Sequence, residues 1–124
     1  MSQVAQFIRD HQLDAMRIGG QKVGAGRDRA IEVFNPYSAE RIGTVPKATL
    51  EEVRQAYALA HAYKPQLTRF DRAAILNKAA ALVRDHLNDI ANLISAEAGL
   101  CSKDAVYEAG RVSDVLLFGA QEVL

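Results

Sequence analysis

The chain has 124 residues, of which 49% are apolar and 24% charged, with fifteen Lys and Arg balancing fifteen Asp and Glu. This is the size and composition of one globular domain with a modest core, and it excludes a disordered tail or a charge field that attracts nucleic acid or an anionic membrane. The densest apolar run, Val115–Phe118, falls far short of the ~20 residues that cross a bilayer. One cysteine (Cys101) and three histidines (His11, His61, His86) allow no internal disulfide and too few ligands for zinc. With no apolar signal core in Met1–Leu13, the expected setting is a reducing cytoplasm.

Residues 1–15 read as a tail or a short helix, because Val4, Phe7, Ile8 and His11 share a helical face. Residues 16–46 read as a small antiparallel β meander. Met16, Ile18 and Val23 surround the turn signal Gly19-Gly20, and Gly24-Ala25-Gly26 is a connection. Ile31-Glu32-Val33-Phe34 is a β-branched strand. Asn35-Pro36-Tyr37-Ser38 turns the chain into a second strand, Arg41–Val45, closed by Pro46.

Residues 47–124 switch to helical periodicity. Thr49 with Glu52 predicts a capping box, followed by the stripe Val53, Ala56, Tyr57 and Ala60, and Lys64-Pro65 stops that helix. Thr68 with Asp71 predicts a second box, and Ile75, Leu76, Ala79, Leu82, Val83 and Leu87 are expected on the inner face behind it. A restart or kink is expected at Asn88-Asp89. Ile90, Leu93 and Ile94 then lead to Gly99, which suits the left-handed position after a helix. Ser102 is the predicted N-cap of the last helix, where Val106, Ala109, Val112, Ser113, Leu116, Leu117 and Ala120 recur at helical spacing. Val115–Leu124 remains apolar and helical without a Gly, Asn or Pro stop signal. That pattern predicts either a helix that frays or a helical domain truncated at 124.

Few side chains have the spacing that chemistry needs. Gly19, Gly20, Gly24 and Gly26 lead into a strand, whereas a phosphate loop opens a helix, so a hairpin is expected. Cys101 has no neighbouring base and reads as structural. Glu97 and Glu108 are not placed together by any pattern, and His61 and His86 read as helix-surface residues. Arg111 follows Gly110 at the edge of an apolar stretch, where its guanidinium fork could hold a phosphate or phosphonate. Spacing alone favours an ion pair with Glu108 or Asp114, three residues away on either side.

In order, these pieces resemble the N-terminal part of the aldehyde dehydrogenase superfamily. Arg17-Ile18-Gly19-Gly20-Gln21-Lys22-Val23 resembles its first strand pair. Ile31–Pro36 and Ile42-Gly43-Thr44-Val45-Pro46 are similar to its NP and G-x-V-P block. Thr49–Ala60 resembles the helix that follows, and Arg72-Ala73-Ala74-Ile75-Leu76 its R-x-x-I-L helix. Glu97-Ala98-Gly99 is similar to its E-x-G-K segment, with Leu100 in place of Lys. Lys64–Phe70 and Lys103–Arg111 resemble a subgroup, the phosphonoacetaldehyde dehydrogenases.

The resemblance implies an α+β segment of an ALDH-like α/β fold: a small antiparallel β meander followed by three to four helices. It implies an NAD(P)-dependent enzyme that oxidises phosphonoacetaldehyde to phosphonoacetate through a thiohemiacetal on Cys and a Glu-activated water. It makes Arg111 the candidate substrate-binding residue. The family's catalytic Cys, Glu and dinucleotide site lie beyond the portion matched, so no catalytic, cofactor-binding or metal-binding residue is assigned to this chain. Alone it is expected to be inactive and to bind neither NAD nor NADP. Its expected partners are the remainder of the dehydrogenase chain and further copies in a homo-oligomer, with no nucleic acid and no membrane. The alternative is a non-catalytic helical interaction or oligomerisation module derived from such an enzyme.

Overall fold

The computed structural model describes residues 3–10, 15–24 and 27–124. Helix α1 (Gln3–Asp10) precedes strands β1 (Met16–Ile18), β2 (Gln21–Val23), β3 (Ala30–Phe34) and β4 (Arg41–Pro46). Helices α2 (Leu50–Ala62), α3 (Arg69–Asp85), α4 (Leu87–Ala98) and α5 (Ser102–Glu122) follow. This is the expected order of small antiparallel strands and then helices. The strands pair as two separate two-stranded sheets, β1 with β2 and β3 with β4. The expectations for His11, Ala25 and Gly26 concern positions outside the described residues.

By its internal contacts the chain divides into Met1–Lys64 and Pro65–Leu124. In the first unit, Gly19 and Gly20 turn β1 into β2 with φ of 58° and 80°, a conformation that suits residues without a Cβ. A Cβ on Gly19 would also lie 2.8 Å from Leu59 Cδ1 of α2. Among the described residues of this unit, Ile18 is the buried apolar one. Between β3 and β4, Asn35 Oδ1 accepts from the backbone N–H groups of Tyr37 and Ser38 at 2.9 and 3.0 Å. The side chain thus builds the turn that Asn-Pro predicts, and a bulge at Val33/Phe34 takes up the change in register.

Both predicted capping boxes are present. Thr49 Oγ1 accepts from the Glu52 N–H at 3.2 Å, and Glu52 Oε2 accepts from the Thr49 N–H at 2.7 Å. The same carboxylate takes the Arg29 guanidinium at 2.8 Å, tying the turn before β3 to the start of α2. At α3, Thr68 Oγ1 accepts from the Asp71 N–H at 3.1 Å while its hydroxyl donates to Asp71 Oδ2 at 2.6 Å.

In the second unit, α5 packs against α3 and α4; the fully buried positions are small side chains, and Leu87, Ile90, Ile94 and Leu100 pack partly buried against them. Ala73, Ala80, Ala91, Ala105, Ala109 and Ala120 are the buried apolar residues, joined by Ser113, whose hydroxyl donates to the Ala80 carbonyl at 3.4 Å. Leu76, Ala79, Val83 and Leu87 are half-buried as expected, but Ile75 and Leu82 are exposed. On α5, Ala109, Ser113 and Ala120 face inward, whereas Val106 and Val112 are exposed. Small residues win the inner positions because they let the helix backbones approach closely.

Two boundaries shift. The helix break falls at His86, which caps α3 and opens α4 with φ −103° and ψ 17°, two residues before the expected Asn88-Asp89. The N-cap of α5 is Cys101 rather than Ser102, and its thiol donates to Asp104 Oδ2 at 3.2 Å. Gly99 takes the expected left-handed conformation, φ 70°. Among the described residues no helix is long and apolar enough to cross a membrane.

The boxes make a pH prediction. The Thr68 hydroxyl and N–H hold Asp71 below the ordinary carboxylate range, and the Thr49 N–H followed by Arg29 does the same for Glu52. A lowered folded-state value adds stability above the unfolded value, about 4, and that stability is lost as pH falls through the lower folded value. Thr68→Ala should cost about 1 kcal/mol at neutral pH. Urea unfolding followed by far-UV circular dichroism should show this, together with a shallower loss of stability below pH ~4 than in the parent.

Candidate functional site

Arg111 lies midway along α5, where the helix carries a glycine on its N-terminal side. Gly110 is a costly residue in a helix interior, by roughly 0.5–1 kcal/mol relative to Ala. No side chain crowds it: a Cβ built there would meet nothing within 4 Å. Beside it lies an open hollow of about 300 Å³. Arg84 from the last turn of α3 and Leu87 from the first turn of α4 line it, together with Tyr107, Gly110, Arg111 and Asp114 of α5. Arg111 also borders a second depression of about 340 Å³, with Glu108, Val112, Val115 and Leu116.

The Arg111 guanidinium makes the same-helix pair that spacing favours. Its Nη1 donates to Glu108 Oε1 and Oε2 at 3.1 and 3.3 Å. Its Cζ lies 6.0 Å from the centre of the Tyr107 ring, at the outer reach of a cation–π contact. Glu108 at i−3 and Tyr107 at i−4 therefore hold one side of the fork. Among the described residues Nη2 and Nε make no hydrogen bond, so the fork keeps donors for an anion. Both partners are half exposed, and the pair contributes little to stability.

The other sequence candidates are dispersed. Cys101 is exposed at the start of α5 and its thiol is engaged with Asp104. Glu97 is exposed near the end of α4, away in sequence from Glu108, which belongs to Arg111. His61 is exposed on α2, and His86 sits at the α3–α4 break with Nδ1 3.4 Å from Asp89 Oδ2. The glycines of β1–β2 make a hairpin turn, and the next long helix begins only at Leu50. Those residues do not fit a dinucleotide cradle, which needs N–H groups at a helix start. Among the described residues no group of three or more His, Cys, Asp or Glu could hold a metal ion.

Sequence reading placed Gly110 beside Arg111 but missed Tyr107 and Arg84 as its neighbours. The i, i+4 spacing of Tyr107 and Arg111 was a usable signal. Arg84 comes from another helix, and only the packing of α3 on α5 brings it to the hollow.

Gly110→Ala should stabilise the 124-residue chain by about 0.5–1 kcal/mol, because the methyl group displaces nothing. Glu108→Gln should change stability by less than about 0.5 kcal/mol. Equilibrium unfolding of the two variants beside the parent checks both values.

The chain has clear relatives. The sequence profile described as the aldehyde dehydrogenase family matches residues 23–123. The NADP(+) succinate-semialdehyde dehydrogenase of Escherichia coli (strain K12) is 32% identical over 108 residues, covering 85% of this chain and 22% of that enzyme. The glutarate-semialdehyde dehydrogenase of Pseudomonas putida is 31% identical over 120 residues, covering 93% of this chain and 25% of that enzyme. Among solved structures, lactaldehyde dehydrogenase from Escherichia coli superposes with a TM-score of 0.78 at 30% identity, over 86% of this chain and 23% of that one. The chain thus spans between a fifth and a quarter of the length of these relatives.

Proposed function

The chain belongs to the aldehyde dehydrogenase family, and on that premise we propose that it is a scaffold segment of an NAD(P)-dependent enzyme that oxidises an aldehyde to its acid. The segment supplies one wall of the substrate site, and the rest of the enzyme supplies the reacting thiol, the general base and the dinucleotide. The finer proposal is that the substrate is phosphonoacetaldehyde, converted to phosphonoacetate, with Arg111 as ligand of the phosphonate. The proposal includes a cytoplasmic enzyme that assembles as a homo-oligomer.

One observation carries the scaffold reading. The buried apolar residues of the second unit are alanines, while Phe70, Ile75, Leu82, Val112, Val115 and Phe118 are exposed. A helical unit that leaves this many large apolar side chains exposed is built to be covered. A hydrogen bond to a charged group contributes about 1.5–3 kcal/mol, enough for one guanidinium fork to select an anionic aldehyde over a neutral one. Two of the relatives are named for aldehydes that carry a carboxylate at the far end, which supports an anionic aldehyde as the substrate class. Held at its head group, such a molecule presents its carbonyl carbon in a fixed position for attack. NAD(P) would accept the hydride; no residue of this chain is assigned to it.

In the complete enzyme, Arg111→Ala should raise KM for phosphonoacetaldehyde about tenfold to a hundredfold, with little change for an uncharged aldehyde. Equal losses on both substrates would remove the phosphonate role. The purified 124-residue chain should show no NAD(P)-dependent turnover and should self-associate in sedimentation velocity. An open reading frame downstream of Leu124 that encodes a catalytic cysteine supports the enzyme segment. A stop codon there supports the non-catalytic helical module.

A further inference from the structure

We infer that Arg84 is a second ligand for the anionic head group, sharing with Arg111 the hollow between the end of α3 and the middle of α5. The inference rests on the reading of Arg111 as the head-group residue and adds a cation that no motif indicated. Both arginines line the hollow, whose volume of about 300 Å³ lies at the lower end of the range for small-molecule sites.

Their commitments differ. Arg111 is held at one nitrogen by Glu108. The Arg84 side chain is exposed and, among the described residues, makes no hydrogen bond or ion pair. Asp114 also lines the hollow and Glu108 takes one nitrogen of Arg111, so the donors left for an incoming anion are those of Arg84 and the remaining nitrogens of Arg111. Gly110 keeps the α5 side of the hollow free of a side chain, so a ligand can lie close to the helix backbone between the two cations.

The stoichiometry of donors selects the ligand class. A carboxylate carries one negative charge on two coplanar oxygens, which one guanidinium fork engages with two parallel hydrogen bonds. A phosphonate has three oxygens and up to two negative charges, so it can bridge two forks at once. A pair of arginines in one hollow therefore favours a phosphonate or phosphate monoester over a carboxylate.

The test uses the 124-residue chain and methylphosphonate at constant ionic strength, following the Arg Nε–Hε resonances by NMR. The resonances of Arg84 and Arg111 should shift along one common saturable curve. Arg84→Gln should weaken binding about threefold to tenfold, Arg84→Lys should recover part of the loss, and acetate should bind more weakly with little response at Arg84. A saturable shift of Arg111 with Arg84 silent would overturn the shared site while leaving the Arg111 reading intact. No saturable shift at either residue would overturn both. Parallel, non-saturating drift of all arginines would mean screening alone and would also overturn the shared site.

Discussion

The close contact of α5 with α3 and α4 governs what the second unit can do. Its inner stripe on α5 is Ala105, Ala109, Ser113 and Ala120, and the facing positions on α3 include Ala73 and Ala80. Small side chains bring helix axes near one another and contribute little buried apolar area each. Larger residues such as Leu76, Leu87 and Leu116 are only half-buried beside that stripe, and Val115 and Phe118 on the outer face are each 66% exposed. One packing choice thus holds the unit together, aims Arg111 and Tyr107 at the hollow, and leaves an apolar exterior.

The first unit follows a different logic. Two short antiparallel sheets are marginal alone, and they are tied down by directional polar contacts more than by a core. Asn35 builds the β3–β4 turn through its side-chain oxygen, and Arg29 forks onto the Glu52 carboxylate that also caps α2. Tyr37 at the tip of that turn is 98% exposed. Polar clamps can fix geometry at low apolar content, but they contribute modestly when solvent reaches them.

The sequence made the local features legible because their causes are local. Thr49 and Thr68 each have an acidic residue three positions later, Gly19-Gly20 needs positive φ, and Gly99 needs the left-handed region, so turns and caps could be placed within a residue or two. The inner faces were less legible. A pattern weighted by hydrophobicity puts Ile75, Leu82, Val106 and Val112 inside, whereas helix approach puts Ala73, Ala80, Ala105 and Ala109 there. Tertiary packing decides between two stripes that have the same period. Arg111 and its Glu108 partner were legible from spacing, but Arg84 joins them only through the packing of α3 on α5, which no local pattern encodes.

The central claim is that α5 turns Ala105, Ala109, Ser113 and Ala120 inward and leaves Val112, Val115 and Phe118 to solvent. Thiol-labelling rates in dilute solution test it most directly, with Cys101→Ser as the background and Phe118→Cys compared with Ala109→Cys. The account predicts that Phe118→Cys reacts at nearly the rate of a free thiol, and that Ala109→Cys reacts at least about a hundredfold more slowly because it must wait for opening. Equal protection at the two positions, or faster labelling at 109, would contradict it.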